Sequence, residues 1–350
     1  MKTAAFVPIW DRKNGICRGE SLLFDEKGRV RLLFPAEKIL KVYNATLGQV
    51  YEEGRDFTHT PGSRELFRTP DSAIPFLSEK ALHPDPATAK VFPDPEANAI
   101  ANSAGTELLI FSNKDLFARI QVECDYQCAG TPAFPELPRL APGQLPRFRE
   151  KLRAKRPLKL LLLGDSISEG YNATGYLKVP PFMPPYIDLF ASGLSERFGC
   201  PVTALNRAVN GTGCRHALQK PERWAGEEAD LLVIAYGMND YGSMEPAEYK
   251  QVLKEIIELR ESRFPGGEYL LVSPMTRNPL WGKLPEGRSA GFAGALKSLA
   301  SANIAAADVH DLWCRISGGK DYYSMAGNGV NHPNDYGHRI YAEVLLGLFA

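Results

Sequence analysis

The stretch Leu158–Ser168, LKLLLLGDSIS, limits the fold more than any other part of the chain. An almost unbroken leucine run ends on Gly-Asp-Ser and passes into a loop at Glu169–Gly170. A short apolar run bounded by turn residues reads as a strand buried on both faces of a parallel sheet. Ligands bind beyond the carboxyl ends of such strands, which places Ser166 where chemistry is usually done. The remaining chain keeps the pattern. Strands are expected at Leu158–Leu163, Val202–Asn206, Asp230–Tyr236, Tyr269–Ser273 and Ala305–Val309. Helices are expected at Pro184–Phe198, Pro246–Phe264, Ala290–Ala302 and Gly337–Leu348. Strand and helix in alternation imply a parallel sheet with helices on both faces, hence an α/β domain over 158–350.

Residues 1–130 have a different texture. Short β-rich runs (Ser21–Phe24, Val30–Phe34, Ile39–Asn44, Thr106–Phe111, Leu116–Cys124) alternate with turn clusters such as Asp25-Glu26-Lys27-Gly28 and Pro61-Gly62-Ser63. That spacing implies an all-β sandwich or jelly-roll domain. Between Phe67 and Pro95 prolines are too frequent for a regular element, so a long irregular loop is expected. Residues 131–157, rich in Pro, Arg and Leu, read as a stiff linker with room for one short helix at Leu145–Ala154.

Formal net charge is zero, which argues against a nucleic-acid partner, and no apolar run approaches membrane-spanning length. The leading MKTAAFVPIWDRKNG is too short in its apolar part for a secretory signal, so a cytoplasmic protein is expected. The six cysteines are scattered, and Cys124-x3-Cys128 has no second pair to make a zinc site, so buried free thiols are expected. His332, Asp335 and His338 have poor spacing for a metal.

Four loops carry polar groups of different type: Gly164-Asp165-Ser166, Asn210-Gly211-Thr212-Gly213, Gly237-Met238-Asn239-Asp240 and Asn331-His332-Pro333-Asn334. Acyl transfer needs a nucleophile, a base and donors for an oxyanion, and a serine, a histidine, glycine-rich turns and an amide meet those needs. In this order the blocks resemble those of the SGNH (GDSL) hydrolases over roughly residues 158–350. The G-x-S-x-G elbow of the α/β-hydrolases is absent around Ser166. The resemblance implies a three-layer α/β/α hydrolase domain. It implies Ser166 as nucleophile and oxyanion donor, Gly211 and Asn239 as the other oxyanion donors, and His332 as base, with no metal or organic cofactor. Asp165 and Asp240, though inside the blocks, read as structural.

One position departs from the family pattern, which has an aspartate three residues before the histidine; here that residue is Gly329. The group orienting His332 is then Asn328, a backbone carbonyl, or a carboxylate such as Asp321 folding in from elsewhere. A β-domain followed by an SGNH domain is also similar to two-domain carbohydrate esterases, the family-2-type acetylesterases. That likeness implies an ester of a poly- or oligosaccharide as substrate, with Tyr171, Asn172, Tyr241 and Trp281 as candidate substrate contacts. The alternatives are a lysophospholipase or acyl thioesterase acting on longer chains, and a glycan-binding protein whose hydrolase domain is inactive.

Overall fold

The computed structural model describes residues 6–350; residues 1–5, the start of the segment read above for a secretory signal, lie outside it. The first third forms β1 (Trp10–Asp11), β2 (Ile16–Leu22), β3 (Arg29–Asn44), β4 (Val50–Tyr51), β5 (Phe57–His59), β6 (Ser63–Arg68), β7 (Ala99–Ala101), β8 (Leu108–Ile110) and β9 (Val122–Cys128). β7 and β8 make a separate hairpin. The others form one seven-stranded antiparallel sheet in the order β1-β2-β9-β3-β6-β5, with β4 added on β3. Alternation decides which face is inward: Val30, Leu32 and Val42 of β3 are buried, while Arg29 and Arg31 are exposed. Pro35 has no N–H for the ladder, and the pairing register shifts between Arg31 and Ala36. Most of the first half of β3 pairs with β6 and the second half with β9, so one long strand serves two neighbours.

The run Leu116–Cys124, expected as one strand, divides. Leu116–Ile120 is a short helix that buries Phe117 and Ala118, and the strand begins at Val122. Arg119 pairs with Asp115 one turn earlier, a helix-surface contact that no strand provides. Residues 69–98 hold one four-residue helix, Glu79–Leu82, and are otherwise irregular, as their prolines imply.

The second sheet is parallel throughout: β10 (Leu158–Gly164), β11 (Val202–Asn206), β12 (Leu231–Ala235), β13 (Tyr269–Val272) and β14 (Ile304–Ala307). Its order is β11-β10-β12-β13-β14. The helices Tyr186–Phe198, Pro246–Arg263, Arg288–Lys297 and Asp335–Gly347 lie within two or three residues of their expected starts. A further helix, Val309–Ser317, follows β14 directly; Asp308 ends the strand and caps the helix through the N–H of Asp311. No helix among the described residues is long and apolar enough to cross a membrane. All six cysteines are free.

Apolar packing runs without a break from Leu22, Phe24 and Val42 to Ile340 and Val344. Buried polar bonds cross the same boundary. Lys320 Nζ meets Glu20 at 2.6 Å with both side chains sealed from solvent. Glu343 accepts the N–H of Ile9, and Gln121 Nε2 donates to the carbonyls of Tyr323 and Ala326. The proline-rich stretch 131–157 is also packed. Its helix, Pro146–Arg153, buries Phe148 and Leu152, and Glu268 accepts the N–H groups of Arg147 and Phe148 at the helix start.

Candidate active site

β11 and β12 flank β10 on opposite sides, so the strand order reverses at β10 and leaves a crevice beyond its carboxyl end. Ser166 sits in that crevice. Gly164 ends β10 where a Cβ would lie 2.8 Å from the carbonyl of Ala235, so only glycine fits. The next residue, Asp165, accepts the N–H of Ile167 and starts the short helix Ser166–Glu169, which Gly170 closes at φ 103°. Burial raises the carboxyl of Asp165 to about 7, with a smaller contribution from Asp240 nearby. Asp240 in turn accepts the N–H of Cys214, and burial raises its pKa as well. Both aspartates hold backbone, as their role as structural residues requires.

Ser166 is buried, and its Oγ lies 2.8 Å from Nε2 of His332. The loop carrying His332 is organised by Asn328, whose Oδ1 accepts three backbone N–H groups, those of Val330, Asn331 and His332, each at 3.0 Å. Asn328 therefore positions the histidine's main chain and does not touch its ring. Asp321 does not reach the ring either: its carboxylate accepts the N–H of Tyr323 and starts the turn Tyr322–Ser324. The expectation that one of these two side chains orients the imidazole is thus corrected. Nδ1 of His332 lies 2.8 Å from Oδ1 of Asn172.

Asn172 was expected among the substrate contacts; it is 2% exposed and faces the protein. Its backbone is left-handed, at φ 63°, a conformation that asparagine adopts more readily than most residues. Its Nδ2 donates to the carbonyl of Gly327 at 3.0 Å, which turns Oδ1 toward the histidine. Two residues on, the N–H and Oγ1 of Thr174 donate to Asp335, tying this loop to the start of the C-terminal helix. The Gly-Tyr-Asn sequence following the short helix was the available signal for Asn172. Nothing in its spacing from His332, 160 residues away, links the two. Burial, with a smaller contribution from nearby His338, lowers the pKa of His332 from 6.5 to about 3.

The oxyanion donors named from sequence lie on connected loops. Ser166 is the first residue of its helix, so its N–H has no partner within it. Gly211 is at φ 73° with open space where a Cβ would stand, and its N–H has no backbone acceptor among the described residues. Its neighbours are anchored: Val209 donates to the carbonyl of Gly164, and Asn210 to Glu169. Asn239 gives one amide hydrogen to the carbonyl of Thr212, leaving the second. Of the aromatic candidates, Tyr171 stands edge-on to the His332 ring, centroids 5.4 Å apart, and packs against Tyr176 with centroids 4.4 Å apart and the rings tilted by 32°. Tyr241 is instead a core residue packed on Phe292, with its hydroxyl donating to main-chain carbonyls at Pro274 and Met275. The ring of Trp281 is half-buried under the guanidinium of Arg277. Burial of Tyr241 corrects it as a substrate contact. Among the described residues no three His, Cys, Asp or Glu side chains are placed to hold a metal ion.

Residues 162–340, just over half of the chain, match the GDSL-like lipase/acylhydrolase family. The chain belongs to that family, within the SGNH hydrolases. Solved structures similar to this GDSL-like hydrolase include a lipolytic G-D-S-L protein from Veillonella parvula DSM 2008, 20% identical. The match covers 55% of this chain and 97% of that one, with a TM-score of 0.42. A two-domain esterase active on acetylated mannans is 19% identical, over 58% of this chain and about half (51%) of that one, with a TM-score of 0.46. An acetyl xylan esterase from Geobacillus stearothermophilus is 17% identical, over 55% of this chain and 94% of that one, with a TM-score of 0.42. No curated protein sequence matches the hydrolase significantly.

Proposed function

We propose that this hydrolase is a serine esterase that removes O-acetyl groups from poly- or oligosaccharides. The observation that carries the reading is the 2.8 Å contact of Ser166 Oγ with His332 Nε2 at the strand-switch crevice. Ser166 Oγ attacks the acyl carbon as its proton passes to Nε2. The carbonyl electrons move onto oxygen, which rests on the N–H groups of Ser166 and Gly211 and on the free amide hydrogen of Asn239. The ester C–O bond then breaks, Nε2 returns the proton to the departing sugar oxygen, and an acetyl group remains on Ser166. Water, deprotonated by His332, attacks that acyl group in the same way, and acetate and free Ser166 result.

One feature supports the finer reading. Tyr176 is 40% exposed and packs against Tyr171 beside the base, an aromatic surface of the kind that sugar rings pack against. The test is acyl release by the wild type and Ser166→Ala on p-nitrophenyl esters from acetate to octanoate and on acetylated xylo- and manno-oligosaccharides. Serine-dependent release favouring acetate and the oligosaccharides is expected. Preference for octanoate would replace the substrate class, and no release from any ester would replace the enzyme reading with glycan binding.

A further inference from the structure

We propose that Asn172 is the positioning residue of the Ser166–His332 pair, its neutral amide carbonyl doing the work that a carboxylate does in most serine hydrolases. The inference rests on the reading of Ser166 as nucleophile. Four observations carry it. Asn172 Oδ1 lies 2.8 Å from Nδ1 of His332, on the side of the ring opposite Ser166. The Nδ2 bond to the Gly327 carbonyl settles which way the amide faces, since reversing it would set a carbonyl oxygen against a carbonyl oxygen. An oxygen facing Nδ1 requires that nitrogen to carry the hydrogen, which leaves the lone pair on Nε2 aimed at the Ser166 hydroxyl. Lastly, the place where the family pattern puts an acid is closed: Gly329 has φ 87°, and a Cβ there would meet the carbonyl of Ile110 at 2.7 Å and the Phe117 ring at 2.9 Å.

The orienting group thus comes from the nucleophile's own loop, six residues after Ser166, and not from the histidine's loop. It supplies a dipole without a charge. When His332 takes the serine proton, the imidazolium faces an amide oxygen, and no anion offsets its charge. The titratable groups around it leave that arrangement unchanged. Tyr171 faces the ring, and His338 of the C-terminal helix adds only repulsion when protonated. Asp335 and Glu123 lie behind Asn172, around a small cavity of about 10 Å³. Asp335 is engaged by Thr174 and Glu123 by the Tyr43 hydroxyl. A base without an anionic partner stays deprotonated further into acid, and a carboxylate at position 172 should reverse that.

The test uses a fluorophosphonate, which phosphonylates activated serines with loss of fluoride, read by intact mass between about pH 2.5 and 9, on the wild type and on Asn172→Gly and Asn172→Asp. Glycine tolerates the left-handed backbone, so Asn172→Gly deletes the amide while sparing the loop; melting temperatures check that both variants fold. Labelling of Asn172→Gly should slow by about 10²-fold or more, as loss of the correct tautomer does elsewhere. Asn172→Asp should label at neutral pH with its acid limb raised by about one unit or more. Wild-type protein that labels, beside a folded Asn172→Gly that labels as fast or an Asn172→Asp with an unmoved limb, would overturn the inference while leaving Ser166 as nucleophile. Wild-type protein that takes no probe would overturn that reading and the inference together.

Discussion

Gly329 and Phe117 are far apart in the chain, and the glycine lies so close under the phenylalanine that a Cβ at 329 would stand 2.9 Å from the ring. The histidine loop of the hydrolase domain is therefore shaped by a residue of the N-terminal region. Gly329→Asp, which restores the acid of the family pattern, should be destabilising because it meets both the Phe117 ring and a positive φ. A loss of about 2–4 kcal/mol is expected from strain and overpacking together, read by urea denaturation. It should not rescue Asn172→Gly. A stable Gly329→Asp protein with restored labelling would contradict the account.

Asn328 acts through main chain, which separates its two obvious substitutions. Asn328→Ala leaves three buried or half-buried N–H groups without their acceptor and should cut kcat at least about 10-fold while lowering the melting temperature. Asn328→Asp keeps an acceptor for all three and should retain most of the activity. Equal loss in both would indicate a role for the amide nitrogen, which donates to Asn331.

In the proposed mechanism, loss of the Asn239 amide removes a donor needed only when charge develops on the substrate oxygen. Asn239→Ala should lower kcat by about 10²–10³-fold with little change in KM. A change confined to KM would place Asn239 in ground-state binding instead.

The pH profile follows from burial of His332, which lowers its pKa to about 3. The ring is neutral in the folded protein at pH 5, whereas an exposed histidine would be mostly protonated there. kcat/KM on p-nitrophenyl acetate should stay level from pH 7 to 5 and fall only below that, and a limb near 6.5 would contradict it. For stability, an unfolded chain takes up the proton near 6.5 and the folded one does not, so this contribution is full above 6.5 and declines as pH falls toward 3. Asp165 and Asp335, raised to about 7, work in the opposite sense: their contribution is full below about 3.8 and is lost as pH rises through 7.

Lys320 and Glu20 form a sealed pair across the two halves of the chain. Lys320→Met strands a carboxylate that also accepts bonds from the Tyr126 hydroxyl and the N–H of Leu33. It should cost about 3–5 kcal/mol, and adding Glu20→Gln should recover much of that. A single variant within about 1 kcal/mol of wild type would mean that solvent reaches the pair.

Several features were legible in the chain because their causes are local. The leucine run before Gly164 has the continuous apolarity of a strand covered on both faces, and β10 occupies it to within a residue. The helices after Pro184 and Pro246 announce themselves by proline starts and apolar spacing. Leu116–Ile120 misled, because a short apolar run satisfies strand and helix alike until packing of Phe117 decides.

Within the site, residue type and block order singled out Ser166, Gly211, Asn239 and His332, since each needs a particular chemistry on a turn. Sequence also located the missing acid at Gly329. It could not name what stands against Nδ1, because that contact joins residues 160 apart through two loops whose approach depends on Gly327, Gly329, Asp335 and the N-terminal Phe117. Tyr241 failed as a substrate contact for the same reason: an aromatic side chain near a loop reads alike whether it faces solvent or core. The sequence by itself determined the strand–helix alternation and the chemical groups offered by each loop, because period, turn chemistry and side-chain type are local properties. Only the tertiary structure decided which groups meet, because a hydrogen bond depends on ångström-scale placement by packing from distant parts of the chain.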